Sequence, residues 1–573
     1  MTNDKQIQVM IETLQQKLAA NRVSNDGNWR STLSSSAIST SVSVFALYMA
    51  DAEKHKATIE KGQEWLYQTM LPDGTWGDSP ESPANMTATL LSYAALFATG
   101  KPSSKTKDYI DQTLGGSSDD EIINGVLKYY GKDLTFSAPI LIMCALAGVI
   151  QEWNKIPQLP FELAILPQSV FRFLQLPVVS YAIPALIAVG ILRHKMGRKN
   201  VLSPLRDLFI PKSMKVLQSH QPENGGYLEA APLTAFVTMC LCGAGFKEHS
   251  STQKAVEFLV DTVRKDGSWP IDTNLDSWAT ALSVRALGSD QPYKEKVAEQ
   301  IKKLAFQYKH PFTGAEPGGW GWTNRPGAVP DADDTAGALV ALHILLDGKP
   351  CKEIENGINW LLKLQNRDGG IPTFCKGWGK LPFDASSPDI TAHSIQAMHL
   401  WYDVLPAELQ QKCNKSIDRM LKWMQSIQSK EGELVPLWFG DQNSPDESAP
   451  VYGTALAVEY LAEIDNKVAK AVVEKGRNYL ISAQNKDGGW GGAKNVPSKV
   501  TMTARALSAL ASLGYYNHEK TQAGITYLVN KHNAGDLFQK EPIGLYFSRL
   551  WYSEEMYNIT FVLNAMNKLK LIR

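Results

Sequence analysis

Three carboxylates fall within four residues at Pro330-Asp331-Ala332-Asp333-Asp334-Thr335-Ala336, directly before the apolar run Gly337 to Leu346. Crowding carboxylates beside a hydrophobic stretch disfavours full ionisation, so one of them can keep a proton at neutral pH and act as a carboxylic acid. A plainer use of the same residues is capping, with Asp331 at a helix start and Asp333 and Asp334 complementing its positive end. The residues around the triplet decide between the two.

A protonated carboxyl either donates hydrogen bonds or delivers its proton to a poor base, and an isolated alkene is an extreme case of such a base. Its protonation leaves a carbocation, which needs electron-rich, non-nucleophilic walls, and aromatic rings supply them. Gly318-Gly319-Trp320-Gly321-Trp322 stands just before the triplet, and further aromatics follow turns at Trp278, Trp438-Phe439, Tyr452, Tyr546-Phe547 and Trp551-Tyr552. Taken singly, each reads as a core residue burying area.

These groups must be positioned by a long chain of 573 residues, 44 % of them hydrophobic and 15 of them Trp. One ordinary core does not extend that far, so two domains of roughly 200 residues or more are expected. Lys plus Arg and Asp plus Glu balance at 58 each, which leaves no basic surplus to track a phosphate backbone; nucleic acid is not an expected partner. The six cysteines form no CxxC pair and read as reduced thiols. Met1 to Ala20 is polar and helix-like, without the apolar core of a signal peptide. The apolar runs Phe136 to Ile150 and Val178 to Leu192 fall short of the roughly 20 residues that span a bilayer and are expected as buried helices.

A repeat runs through the chain: two apolar residues, often a Gln four residues on, then Gly, one residue, and an aromatic or apolar anchor. The fullest copy is Tyr479-Leu480, Gln484, Gly488, Trp490; others centre on Gln221, Gln365 and Gln428, and copies without the Gln carry Trp29, Trp76 and Trp269. Each copy reads as a helix end, a tight turn and an anchor before a run rich in small and apolar residues. The Gln and Trp residues are expected to be scaffold, the Gln holding neighbouring backbone. Helix pairs of this kind must stack to bury both faces, and closing the stack into a ring leaves no apolar edge. The expected fold class is all-α, built of α/α barrels (toroids). Between about Lys101 and Lys215 the repeat thins, and prolines from Pro157 to Pro184 break the chain into pieces too short for one long helix.

The chain resembles the class II terpene cyclases of the squalene-hopene cyclase superfamily. Asp331-Ala332-Asp333-Asp334-Thr335-Ala336 matches that family's DxDDTA signature, and the turn repeat is similar to its Gln-Trp motif. Pro388-Asp389-Ile390-Thr391-Ala392-His393 is similar to its histidine segment, and Val451-Tyr452-Gly453-Thr454 to its tyrosine segment. The resemblance implies two α/α barrels, the second inserted near the N-terminus of the first: residues 1–22 as a helix on the C-terminal barrel, 23–273 as the inserted barrel, and 274–573 as the catalytic barrel. It implies Asp333 as proton donor, Asp331 and Asp334 as its charged neighbours, His393 as its hydrogen-bond partner and Tyr452 in the network that restores the proton. For the substrate cavity it implies Trp322, Trp320, Tyr181, Trp278, Trp438, Phe439, Phe374, Phe383, Tyr546, Trp551 and Tyr552.

The implied substrate is a linear isoprenoid such as squalene, with no cofactor and no metal; a shorter prenyl diphosphate, assisted by Mg, is the alternative. A non-catalytic isoprenoid-binding toroid is a further reading, which several buried polar groups argue against. The resemblance also implies a cytoplasmic protein, peripheral on the inner face of the cell membrane, and is compatible with a homodimer. Asp441 to Pro450 stands where hopene-forming relatives carry an aromatic-rich stretch, so the product need not be theirs.

Overall fold

The computed structural model describes residues 4–23, 27–131, 134–166, 183–201, 203–291, 293–310, 313–374, 376, 382–546 and 548–572. Among them the fold is almost wholly helical, and the one sheet is the hairpin of Gly544–Tyr546 with Leu550–Tyr552. The chain forms two α/α toroids. In the first, Ala37–Asp51, Met86–Ala98, Leu134–Leu146, Ile183–Met196 and Ala231–Gly243 pack in succession, and the last returns to the first. In the second, Asp276–Leu287, Ala332–Leu345, Pro388–Trp401, Pro450–Leu461, Val500–Ser512 and Glu555–Ile572 close in the same way. The leading helix Asp4–Ala20 packs on Glu555–Ile572 and Glu519–Ala534 of the second ring, so the chain starts there, leaves to build the first ring, and returns.

Composition decides which helices line the inside. Pro450–Leu461 buries every one of its residues, as a helix apolar or small on all faces must. Lys352–Leu364, outside it, buries Ile354, Ile358, Leu361 and Leu364 along one stripe and exposes Glu355 and Lys363. The apolar run around residues 136–150 supplies most of the inner helix Leu134–Leu146 of the first ring, and the described part of the second run, from Ile183 onward, lies in the inner helix Ile183–Met196. Among its described residues, the proline-rich piece that follows Gly148 holds the short 3-10 turns Trp153–Lys155 and Phe161–Ile165, because each interior proline removes a donor and clashes with the preceding turn.

The repeat has one hydrogen-bond recipe. Gln428 Nε2 donates to Gly432 O, closing its own turn, and to Val472 O of the next outer helix, both at 3.0 Å. Gln221, Gln365 and Gln484 do the same to Gly225 and Ser251, Gly369 and Ser416, and Gly488 and Lys520. The anchor indole donates back to a carbonyl near its helix end, as from Trp490 to Leu480 O at 2.7 Å, while Trp490 N donates to Thr503 Oγ1 of the following inner helix. Each bond satisfies a backbone group that the turn would otherwise bury unpaired. Gly488 is required twice over: its φ is +87°, and an added Cβ would lie 2.6 Å from Ala523 O.

Candidate active site

Four of the six inner helices of the second ring, Asp276–Leu287, Ala332–Leu345, Pro388–Trp401 and Glu555–Ile572, present their N-termini to one apolar cavity. Its lining includes Leu228 from the first ring's last turn, Leu275 and Trp278, Trp322, Asp331, Asp333 and Asp334, Phe374, Asp389, Trp438 and Phe439, and Tyr546, Tyr552 and Tyr557. Together with its mouth the cavity encloses about 800 Å³. Trp322, Phe374 and Trp438 meet edge to face, at centroid distances of 6.0 and 5.6 Å.

Asp331 is the N-cap of Ala332–Leu345, its Oδ1 accepting from Asp334 N at 2.8 Å. The capping role and the acidic cluster therefore coexist in one residue. Burial raises Asp331 to about 7, and burial together with the adjoining Asp331 raises Asp334 well above the carboxylate range. This pair therefore holds a proton at neutral pH. Asp333 differs from both: 24 % of its side chain is exposed, towards the cavity, and its Oδ1 lies 2.7 Å from His393 Nδ1.

His393 is buried, and Tyr460 stacks on its ring at 4.7 Å. Burial lowers its pKa against the pull of Asp333, and Arg285 and Arg505 lower it further, so the ring is neutral. Arg285 Nη1 lies 3.5 Å from His393 Nε2. A guanidinium only donates, which assigns the acceptor lone pair to Nε2 and the hydrogen to Nδ1. Nδ1–H then donates to Asp333 Oδ1 and leaves Oδ2 as the oxygen that can carry a proton into the cavity.

Of the residues expected at the cavity, Trp278, Trp322, Phe374, Trp438, Phe439, Tyr546 and Tyr552 line it. Phe383 packs one layer back, against Phe374 and Trp438. Trp320 is a correction: it is buried, its indole donates to Ile301 O at 2.7 Å, and its backbone N donates to Thr335 Oγ1, so it is a repeat anchor. Trp551 is a second correction. It lines a separate polar chamber with Asp78, whose Oδ2 accepts from Trp551 N at 2.8 Å. Tyr452 is buried behind Phe439, ring centroids 4.1 Å apart, and does not line the cavity. Tyr181 lies outside the described residues. The stretch Asp441 to Pro450 is a braced turn, with buried Asp441 accepting from Gly492 N and pairing with Lys499 at 2.8 Å.

Asp389 was not singled out, although it lies four residues before His393 and shares its helix face. It lines the cavity, accepts from Ser387 Oγ at 2.5 Å, and is raised to about 6 by burial and then by Asp333. Arg285 and Tyr460, which pack on His393, come from helices whose register the sequence does not display.

Known proteins agree with this architecture. Residues 275–571 match the family described as the squalene-hopene cyclase C-terminal domain, and residues 11–108 match its N-terminal domain. The chain belongs to the squalene-hopene cyclase family of class II terpene cyclases. It is 23 % identical to enfumafungin synthase efuA of Hormonema carpetanum over 92 % of this chain, but spans only 45 % of that longer protein. With a probable squalene–hopene cyclase of Sinorhizobium fredii it shares 23 % identity over 90 % of this chain and 89 % of the relative. Its fold is similar to that of ent-copalyl diphosphate synthase from Streptomyces platensis, with a TM-score of 0.56 at 16 % identity, covering 98 % of this chain and 99 % of the other.

Proposed function

We propose that this protein cyclises a linear isoprenoid, squalene or a similar polyprene, by protonating a terminal double bond with Asp333. The observation that carries the reading is the asymmetry of the acidic cluster: Asp331 and Asp334 are buried, while Asp333 reaches the cavity with one oxygen engaged by His393. The proton leaves Oδ2 as the alkene π pair forms the new C–H bond, and positive charge appears on the more substituted carbon. The Asp333 carboxylate left behind is stabilised by His393 Nδ1–H and by the N-terminus of its own helix. Trp278, Trp322, Phe374 and Trp438 offer π faces to the migrating charge without offering a nucleophile. Loss of a proton or capture of water ends the cascade.

A shorter prenyl diphosphate is the alternative substrate. The polar chamber beyond Phe439 and Leu545, which line both spaces, carries Asp78, Asp446 and Glu447 against one Arg549. That charge balance is unfavourable for a diphosphate. Incubating the detergent-solubilised protein with squalene and with geranylgeranyl diphosphate, each with and without EDTA, followed by mass spectrometry, tests the assignment. A cyclic product from squalene that is insensitive to EDTA is expected. Conversion of the diphosphate alone, suppressed by EDTA, overturns the squalene reading in favour of the alternative.

A hydrocarbon substrate is insoluble in water, and a membrane contact would supply it. Among the described residues no helix is long and apolar enough to cross a bilayer. Val201, Leu208 and Leu205 are exposed by 96, 71 and 54 %, beside the exposed cations Arg198 and Lys199. Exposed apolar side chains with basic neighbours suit one leaflet of an anionic membrane. Sedimentation with anionic vesicles is expected to fall several-fold in Val201→Ser/Leu208→Ser; equal sedimentation would remove this surface from consideration.

A further inference from the structure

Asp272 lies behind the cavity wall, fully buried, on the link between the two rings, where it forms an isolated bridge with Ala230. Two cavity aromatics converge on one of its oxygens. Trp322 Nε1 donates to Oδ2 at 3.0 Å, and Tyr546 OH donates to the same Oδ2 at 2.9 Å. These rings come from different parts of the chain, 50 and 274 residues from Asp272 in sequence. Both line the cavity that receives Asp333. The shared oxygen satisfies the indole N–H and the phenol O–H, which would cost free energy unpaired, and it fixes the polar edges of both rings to one point.

We propose that Asp272 is a positioning residue for the cyclisation, tying Trp322 and Tyr546 into one rigid wall whose π faces prefer a cationic to a neutral isoprenoid. The proposal rests on the cyclase reading above and extends it to a group with no part in the proton transfer. Cation–π attraction depends on the charge lying over the ring face. A ring pinned at its polar edge keeps that face towards the cavity, whereas an unpinned ring turns to follow any ligand. Burial, with Glu229 close by, raises Asp272 well above its ordinary value, which favours the neutral acid, and Oδ2 accepts both hydrogen bonds. An amide oxygen can then take its place. Glu229 itself is occupied by Asn224 Nδ2, Gly327 N and Thr273 Oγ1 and is not a second acceptor for the rings.

Calorimetric titration of N,N-dimethyldodecylamine, protonated at pH 7, against dodecanol of the same chain length reads the wall directly. The wild type is expected to prefer the ammonium, Asp272→Leu to lose about tenfold of that preference, and Asp272→Asn to retain it. Tyr546→Phe, which keeps the ring and removes one tether without touching Asp272, is expected to lose part of it, and covers the case in which Asp272→Leu fails to fold. Truncated cyclisation products should rise in the same order. A preference unchanged within twofold in Asp272→Leu or in Tyr546→Phe overturns the proposal. Equal loss in Asp272→Asn and Asp272→Leu also overturns it, because it would assign the effect to the carboxyl charge. The probes need no turnover: a wild type that selects the ammonium but cyclises no isoprenoid refutes the cyclase reading alone, and active variants with unchanged selectivity refute the tether alone.

Discussion

Asp333→Asn is expected to lose turnover by about 10³-fold or more while melting within a degree or two of the wild type. An amide has no proton of carboxylic acidity to give, and positioned acids ordinarily contribute about 10²–10⁴-fold even where water can substitute. Here the cavity is apolar, and no other carboxyl of the cluster is as exposed to it: Asp331 and Asp334 are 3 and 8 % exposed as whole residues. The fold should tolerate the change because the Asn carbonyl can accept from His393 Nδ1–H as Asp333 Oδ1 does at 2.7 Å. Product formation and a thermal melt on the same preparation check both halves. Activity within tenfold of wild type would remove Asp333 from the role of acid; loss of activity together with loss of fold would leave the role to be tested through Asp333→Glu, which keeps the acid and displaces it.

The rings were legible in the sequence because their turns are local chemistry. Gln428, Gly432 and the anchor after them sit at fixed offsets, and the bonds that justify them span four residues or reach the next helix. The acidic triplet, His393 and most of the aromatic wall were legible for a similar reason: each lies in a short, ordered stretch. Side-chain direction was the obstacle within such stretches. Trp320 and Trp322 look equivalent, yet long-range bonds to Ile301 and Thr335 hold the first in the scaffold, while the second lines the cavity. Trp551 and Tyr552 divide by alternation on the strand Leu550–Tyr552, one facing the polar chamber and the other the cavity. Extended backbone sends successive side chains to opposite faces, so a slip of one residue inverts the assignment. Long-range polar pairs outside the motif segments left no trace. Asp272 meets Tyr546 across 274 residues, and Arg285 meets His393 across 108. Asp272 and Arg285, each taken alone, read as ordinary charged residues of a loop and a helix.

The same kind of long-range contact sets the second large effect, at Glu459. Its carboxylate is fully buried inside the second ring, 2.9 Å from Lys568 and 3.6 Å from Arg285. Three inner helices, Asp276–Leu287, Pro450–Leu461 and Glu555–Ile572, are thereby joined across the lumen. Burial alone would raise this carboxyl, but Lys568, Arg285 and Arg505 outweigh it and hold it at about 2, against an ordinary 4.5. The folded pKa is depressed, so the stabilisation is fully present above about pH 4.5 and is lost as pH falls towards 2; that difference corresponds to about 3 kcal/mol. Glu459→Gln leaves two cations facing each other without their anion, and breaking a buried ion pair from one side costs about 3–5 kcal/mol. A fall in melting temperature of roughly 3–6 °C at pH 7 is expected. The gap from wild type should narrow by roughly a third to a half at pH 3.5, because only in the wild type does the unfolded chain take up a proton at this position that the folded chain does not. Thermal melts of both proteins at the two pH values decide it: a melting point within a degree of wild type at pH 7, or a gap that does not close in acid, would mean that the helices are held by apolar packing alone.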